Sequence, residues 1–258
     1  MTATASNARY PSLVDRSVFI TGGASGIGAC LVEHFVLQGA RVGFIDIDDG
    51  AGQALARQLA AGARHAPLFL KADVTDTGQL FAAIDQVRDA HGTITALLNN
   101  AANDQRHSIE ETTPESWDRG VAVNLRHQFF CAQRVAPGMR EAGGGSIVNF
   151  GSVSWKLKQG GMPVYTTSKS AVQGLTRSLA RDLGPFNIRV NTLVPGWVMT
   201  EKQLRMWVKE ESHEEIARGQ CIDRKLMPEH IAAMALFLAA DDSAMCTAQD
   251  FIVDGGWT

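Results

Sequence analysis

The sequence predicts a single α/β domain: a doubly wound, Rossmann-like parallel sheet of about seven strands with helices on both faces. Three observations predict it. Short β-branched runs alternate with longer amphipathic segments along the chain. No linker or repeat interrupts that alternation, so the 258 residues read as one unit, 1–258, and not two. A glycine cluster separates the first run from the first amphipathic segment, where folds of this class approach a phosphate.

Residues 18–21 read as the first strand, and 26–38 as a helix with Leu31, Val32, Phe35 and Val36 on one face. A strand over 41–46, a helix over 50–61, a strand over 68–71, a helix over 77–91 and a strand over 96–99 follow. The helix expected over 114–139 has Thr113 to cap it and Pro114 suited to its first position. Then come a strand (146–150), a helix (164–183), a strand (188–193), a helix (228–240) and a last strand (251–253). Such alternation gives a parallel sheet covered on both faces. Residues 197–221 break the pattern. They are amphipathic and rich in Trp, Met and charge, and are expected to form a lobe covering the site. Residues 1–11 are expected to be a flexible arm.

Composition narrows the function classes. With 45% hydrophobic and 20% charged residues the chain is globular and buries a large core. A net charge of −3 exerts no pull on nucleic acid or an anionic membrane, which favours small-molecule chemistry. Cys30, Cys131, Cys221 and Cys246 lie far apart with no CxxC pattern, as expected of reduced thiols in a cytoplasmic protein. Residues 1–10 lack a signal peptide's apolar core, and no apolar run is long enough to span a bilayer. His34, His65, His91, His213 and His230 are scattered without clustered carboxylates or thiols, so no metal is expected. Residues 210–215, Glu-Glu-Ser-His-Glu-Glu, read as a solvated helix face.

Thr21-Gly22-Gly23-Ala24-Ser25-Gly26-Ile27-Gly28 follows the first strand and opens the first helix. Glycine lets backbone approach a pyrophosphate, and the helix N-terminus offers free N–H groups and a positive dipole end. Gly22, Ser25, Gly26, Ile27 and Gly28 are therefore candidate dinucleotide-binding residues. Asp46 ends the second strand, eighteen residues after Gly28, placed to accept both hydroxyls of an adenosine ribose; Ile47 follows it. Its carboxylate, with Asp48 and Asp49 nearby and no close Arg or Lys, repels a 2′-phosphate, so the expected cofactor is NAD and not NADP. Asp48 and Asp49 also read as an ordinary solvated acidic turn.

Tyr165 and Lys169 are four apart at the start of a helix and share one face. A nearby ammonium favours the phenolate, which predicts a tyrosine pKa drawn down from about 10 toward the working pH, as a general base requires. Ser152, at the end of the preceding strand, is placed to hold a substrate oxygen beside it. Singly, each residue reads more readily as structural; together with the glycine turn they point to an oxidoreductase.

At these residues the sequence resembles the short-chain dehydrogenase/reductase family in its short, NAD-using form, over about residues 12–258. The glycine motif matches. Asp73-Val74 matches the adenine-side motif, which implies Asp73 near the adenine amine. Asn99-Asn100-Ala101-Ala102 matches the family's NNAG with Ala102 in place of glycine, and implies Asn100 at the cofactor. Asn124 matches the helix asparagine that holds a relay water. Ser152, thirteen residues before Tyr165, and Tyr165-Thr166-Thr167-Ser168-Lys169 match the catalytic serine and YxxSK, which implies a catalytic set of Asn124, Ser152, Tyr165 and Lys169. The resemblance also implies that Tyr165 and Lys169 meet the cofactor. Pro195-Gly196-Trp197-Val198-Met199-Thr200 matches the carboxamide-contacting motif, which implies cofactor contacts at Pro195, Val198 and Thr200. Val253-Asp254-Gly255-Gly256 matches the C-terminal strand. The family implies a homotetramer, with helices 114–139 and 164–183 in one interface and the C-terminal strand in another.

A narrower resemblance, carried by Asn103-Asp104-Gln105-Arg106-His107, Asn124-Leu125-Arg126-His127, residues 149–155, Gln220-Cys221 and Cys246-Thr247, is to bacterial pentose 1-dehydrogenases. It implies oxidation of D-xylose or L-arabinose to the lactone. The residues agree in kind: loop 103–107 is dense in donors and acceptors, and aromatic walls suit a sugar's C–H patches. Asn103, Ser152, Ser154, Tyr165 and Trp197 are the candidate substrate residues, with Trp155 and Trp207 as further walls, although for Trp207 packing is the favoured reading. Arg106 and His107 read equally as ordering their own loop or meeting a neighbouring subunit. Two readings stand beside this one: an NAD-linked dehydrogenase of another alcohol (polyol, hydroxyacid or steroid), and a catalytically silent NAD-binding protein. The complete Asn-Ser-Tyr-Lys set speaks against the last.

Overall fold

Side chains alternate across a pleated strand, and here both faces are apolar. In β1 (Ser17–Thr21), Val18 and Ile20 enter one core cluster and Phe19 the other. The computed structural model describes residues 8–208 and 210–258, without the side chains of Glu210, Glu211 and His213. The remaining strands among them are β2 (Arg41–Asp46), β3 (Leu68–Lys71), β4 (Ala96–Asn99), β5 (Gly145–Phe150), β6 (Ile188–Pro195) and β7 (Asp250–Val253). They form one seven-stranded parallel sheet in the order β3-β2-β1-β4-β5-β6-β7. Ile20 pairs with Phe44 on one side and Leu98 on the other, which sets the register at the centre.

The helices are α1 (Gly26–Leu37), α2 (Asp49–Ala60), α3 (Thr77–His91), α4 (Pro114–Val121), α5 (His127–Glu141), α6 (Pro163–Leu183), α7 (Glu201–Met206), α8 (Glu210–Gly219) and α9 (Pro228–Ala239). One core cluster gathers α1, α2 and α9, with Leu31, Val32, Phe35 and Val36 all buried in it as the sequence pattern requires. The other gathers α3, α5 and α6. At ~1.5–3 kcal/mol per fully buried large apolar side chain, these two layers dominate the stability of the sheet. Because β1 lies between β2 and β4, the connections leave it in opposite directions, and a crevice opens at its carboxyl end.

The structure departs from expectation in three places. The helix expected over 114–139 is interrupted by a π-helical turn, Ala122–Arg126, between α4 and α5. Its cause is local: the Asn124 side chain donates to Gly120 O at 2.9 Å, taking up the carbonyl that an α-helix would give to a backbone N–H. β6 runs two residues beyond the expected end, pairing Pro195 with Val253 of β7. Of the arm expected over 1–11, residues 1–7 lie outside the described residues, but the rest is tied down: Gln38 Nε2 donates to Ala8 O, Tyr10 N donates to Gln38 Oε1, and a short 3-10 turn follows at Pro11–Leu13. Residues 197–221 fold into α7 and α8, and Trp197, Val198, Thr200, Lys202, Gln203 and Glu215 line a cavity at the carboxyl edge of the sheet. Within 210–215 Glu214 and Glu215 are exposed and Ser212 is buried.

Candidate active site

The segments following β1 through β6 line one cavity of about 750 Å³. Its floor is the glycine turn. Gly22 has φ +66°, and a Cβ there would fall 2.8 Å from Ala101 Cα; a Cβ on Gly28 would fall 1.8 Å from Gly22 O. No side chain fits either position. Asn100 Nδ2 donates to Thr21 O and Gly22 O at 3.0 and 2.9 Å, so the first residue after β4 fastens the turn after β1. Gly26 opens α1 without lining the cavity, whereas Ser25, Ile27 and Gly28 line it. Ser25 makes no side-chain cap, and the first N–H groups of α1 have no intrahelical acceptors.

Beyond the turn, both oxygens of Asp46 are oriented by backbone donors, Ala24 N at 3.0 Å and Asp48 N at 3.1 Å, and each keeps further acceptor capacity. Ile47 is 66% exposed beside it, an apolar surface facing a cavity whose wall includes Val74. Asp73 Oδ1 accepts from Thr75 N and Oγ1, both at 2.8 Å, which holds that loop at the rim. Ala102 needs no left-handed backbone, so alanine replaces glycine there without strain. Pro195, Val198 and Thr200 line the far wall, with Thr200 Oγ1 accepting from Gln203 N to cap α7. A cradle that a Cβ would fill, an unfilled helix N-terminus, an oriented carboxylate and an exposed apolar ledge fit a dinucleotide.

The chemical end is built by β5 and α6. Ser152 lies two residues beyond β5 and accepts from Ser154 N at 3.1 Å, which leaves its hydroxyl hydrogen free to point elsewhere. Tyr165 lines the cavity within hydrogen-bonding reach of that hydroxyl. Lys169 is fully buried and donates from Nζ to Phe150 O at 2.8 Å, with Nζ 5.7 Å from the centre of the Tyr165 ring.

The electrostatics differ from the sequence expectation. Burial pushes the Tyr165 hydroxyl up to about 12; the Ser152 hydroxyl and Arg106 pull it down, and Asp104 pushes it up further. Burial also draws the Lys169 ammonium down, to about 7, with Asp104 opposing it, so at neutral pH it is close to half charged. The side chain of Asn124 is likewise fully engaged: Oδ1 accepts from Asn103 N at 2.8 Å and Nδ2 donates to Asn103 O and Gly120 O. It is buried and left out of the cavity lining, and its main-chain carbonyl accepts from Gln128 Nε2 at 3.3 Å.

At the substrate end, Asn103 lines the cavity, but its Oδ1 accepts from Gln105 N in a turn. Ser154 is buried and leaves its hydroxyl out of the cavity; its contribution is the N–H that orients Ser152. Trp197 is a wall, tilted against Trp257 at 6.4 Å, while Trp155 and Trp207 are absent from the lining. His107 orders its loop, through His107 N to Gly161 O at 2.8 Å and Nδ1 against Gln105 O. Arg106 lines the cavity, donates to Met162 Sδ and lies over the Trp207 ring. Asp104, from the loop that the sequence singled out as a whole, joins Lys202, Gln203 and Trp257, which the sequence reading missed, in completing the wall. Lys202 and Gln203 stood in the expected lobe, but six helical residues carry too little periodicity to show which face turns inward; Trp257 had no signal at all. Among the described residues no group of three or more His, Cys, Asp or Glu side chains is placed to hold a metal ion, and no helix is long and apolar enough to cross a membrane.

Comparison with known proteins agrees with this geometry. Residues 22–258 match the family described as Enoyl-(Acyl carrier protein) reductase. The chain is 47% identical over 253 residues to a probable galactose dehydrogenase of Rhizobium meliloti (98% of this chain, 99% of that one). It is 44% identical over 252 residues to the D-xylose 1-dehydrogenase of Caulobacter vibrioides (98% and 99%). The fold superposes on a short-chain type dehydrogenase/reductase from Mycobacterium ulcerans at TM-score 0.90 (28% identity, 95% of this chain, 90% of that one). It also superposes on a 3-oxoacyl-[acyl-carrier protein] reductase with bound NAD from Brucella melitensis at 0.85 (33%, 96% and 92%). A metagenomic blue fluorescent protein in complex with NADPH gives 0.87 (31%, 96% and 99%). With the glycine turn, the parallel sheet and the Ser152-Tyr165-Lys169 set in place, the chain belongs to the short-chain dehydrogenase/reductase family and is an oxidoreductase acting on a CH–OH group.

Proposed function

We propose that this protein is an NAD-dependent aldose 1-dehydrogenase that oxidises the anomeric hydroxyl of a pentose-type sugar, D-xylose or L-arabinose, to the lactone. The observation that carries the reading is the cavity's division: Ser152 and Tyr165 adjoin one another, and the wall beyond them mixes Trp197 and Trp257 with Asp104, Gln203 and Arg106. Flat aromatic faces among charged and amide groups match a sugar's C–H patches and hydroxyls, where a steroid needs mostly apolar lining. The names of two sugar dehydrogenases that the chain resembles support it.

Gly22, Ser25, Ile27 and Gly28 would cradle the pyrophosphate, Asp46 the adenosine ribose, Ile47, Asp73 and Val74 the adenine, and Pro195, Val198 and Thr200 the carboxamide. Bound there, oxidised nicotinamide supplies the acceptor for the hydride leaving C1 and a fixed positive charge within the cavity. Ser152 donates to the C1 oxygen. Tyr165 as phenolate accepts the C1 hydroxyl proton. Lys169 stands behind it, and the proton leaves past the Asn124 carbonyl to solvent. The four unpaired cysteines support a cytoplasmic location. Trp117 and Phe129, each 39% exposed near the junction of α4 and α5, support homotetramer assembly.

Aldoses, polyols, hydroxyacids and steroids assayed with NAD⁺ and NADP⁺ at 340 nm test this directly. Turnover of an aldose with NAD⁺ is expected. A rate with another alcohol class and none with any aldose refutes the reading, and tight NADH binding with no turnover of any alcohol favours a silent binding protein. Asp46→Asn, which keeps one acceptor oxygen but loses the charge, is expected to weaken NADH about tenfold and to raise NADP⁺ use at least about tenfold relative to NAD⁺. Unchanged cofactor preference by titration and steady-state kinetics would remove Asp46 from that role.

A further inference from the structure

The carboxylate of Asp104 stands in the cavity wall, its side chain 19% exposed. Oδ1 accepts from Lys202 Nζ at 2.7 Å and Oδ2 from Gln203 Nε2 at 2.6 Å. Gln203 Oε1 in turn accepts from Trp197 Nε1 at 3.0 Å. Loop 103–107 is thereby joined to α7 by a chain of four side chains, all of which line the cavity. A carboxylate this far from water is stable only when it is paired. Burial pushes its carboxyl up, yet Lys202 and Gln203 outweigh that and hold it below the usual carboxylate range.

An ionised carboxylate has about four acceptor positions; this pairing fills two, one on each oxygen, and the backbone N–H of Asp104 itself bonds the carboxylate as well. Acceptor capacity therefore remains, in a cavity also lined by Ser152 and Tyr165. We propose that Asp104 is the specificity-determining residue of the substrate end, accepting a hydrogen bond from a hydroxyl of a polyhydroxylated substrate through the capacity that these donors leave free. This rests on the aldose reading and adds the side chain that enforces it. A sugar replaces the water lost by that carboxylate with a hydroxyl donor. An apolar alcohol strips the same water and returns nothing, which selects against it.

The test pairs the enzyme with a substrate series. D-Xylose, D-galactose and the monodeoxy forms of whichever turns over faster are assayed with wild type, Asp104→Asn, Asp104→Leu and Lys202→Met. NADH titration and melting temperature establish that each variant is folded. With wild type, at least one deoxy sugar is expected to lose roughly 30-fold in kcat/KM against the parent sugar. With Asp104→Leu that difference is expected to shrink to a few-fold, because the partner of the missing hydroxyl is gone. Asp104→Asn, nearly the same shape, is expected to fall between them, and Lys202→Met, which removes the cation that keeps the carboxylate ionised, to shrink the difference as well. If Asp104 only fastens α7, its variants lower parent and deoxy sugars by the same factor, and the proposal falls while the aldose reading stands. Absence of wild-type turnover on every aldose overturns both. Should Asp104→Leu not fold, the Asp104→Asn comparison decides alone.

Discussion

Tyr165→Phe is expected to lower kcat with the aldose at least about 10³-fold and to leave the NADH dissociation constant within about threefold. The substitution removes one oxygen and keeps the ring that forms the cavity wall, so the cradle of Gly22, Gly28 and Asp46 is untouched. Ser152 remains to hold the substrate oxygen, so KM is expected to change little. The size of the loss follows from the chemistry: without an internal acceptor the C1 proton must leave to water. The Tyr165 hydroxyl starts at about 12, so in the free protein it is protonated at neutral pH. The positive charge of the bound oxidised cofactor favours its ionised form, and the rate is therefore expected to rise with pH as the phenolate fraction grows. Steady-state kinetics from pH 6 to 10 and fluorescence titration with NADH check both halves. Loss of NADH binding in a folded Tyr165→Phe variant would assign Tyr165 to cofactor binding and not to proton transfer.

Lys169→Met is expected to abolish most activity, about 10²-fold or more, and yet to make the free protein more stable at neutral and lower pH. The reason lies in the depressed folded-state pKa of about 7 against an ordinary 10.5. Above pH 10.5 the amine is neutral both folded and unfolded, and burial carries no charge penalty. Between pH 10.5 and 7 the unfolded chain takes up a proton that the folded protein does not, so stability falls as pH falls. Below about 7 both states are charged and the penalty levels off at about 5 kcal/mol. Methionine carries none of it, although it gives up the hydrogen bond to Phe150 O, which Gln128 Nε2 still reaches at 3.4 Å. A net gain of about 2–3 kcal/mol is expected at pH 6 and a net loss of about 1–2 kcal/mol at pH 10, where little of the penalty is left to offset the lost hydrogen bond. Urea unfolding of both proteins at the two pH values measures it. A variant less stable than wild type at pH 6 would show that Lys169 is held by interactions stronger than its burial.

The two expectations for this pair show where sequence reasoning stopped. That Tyr165 and Lys169 share a helix face followed from a spacing of four, and the structure agrees. That Lys169 lowers the tyrosine pKa assumed an ammonium in ordinary surroundings. Its burial behind β5 is a property of packing, to which the spacing is blind. Asp46 and the glycine turn were legible because strand, turn and helix follow one another directly, so chain order already determines position. The substrate end was not, because its wall is assembled from loop 103–107, α7 and the tail residue Trp257, which lie far apart in the chain. Trp155 and Trp257 have the same chemistry, and only the fold tells which of them meets the cavity.

The clasp between Asn124 and Asn103 separates what must not move from what is free to change. A single amide grips both the N–H and the C=O of one residue, from within a widened helical turn. Downstream of that grip, loop 103–107 hangs from a fixed anchor, and upstream of it β4 is locked into the sheet. That anchor holds the backbone of the loop's first residue whatever side chains follow it, but the loop is not electrically separate from the proton-handling end, because Asp104 and Arg106 act on the Tyr165 hydroxyl in opposite directions. A change at Gln105 is therefore free of that coupling, whereas one at Asp104 or Arg106 alters the mouth and the base together.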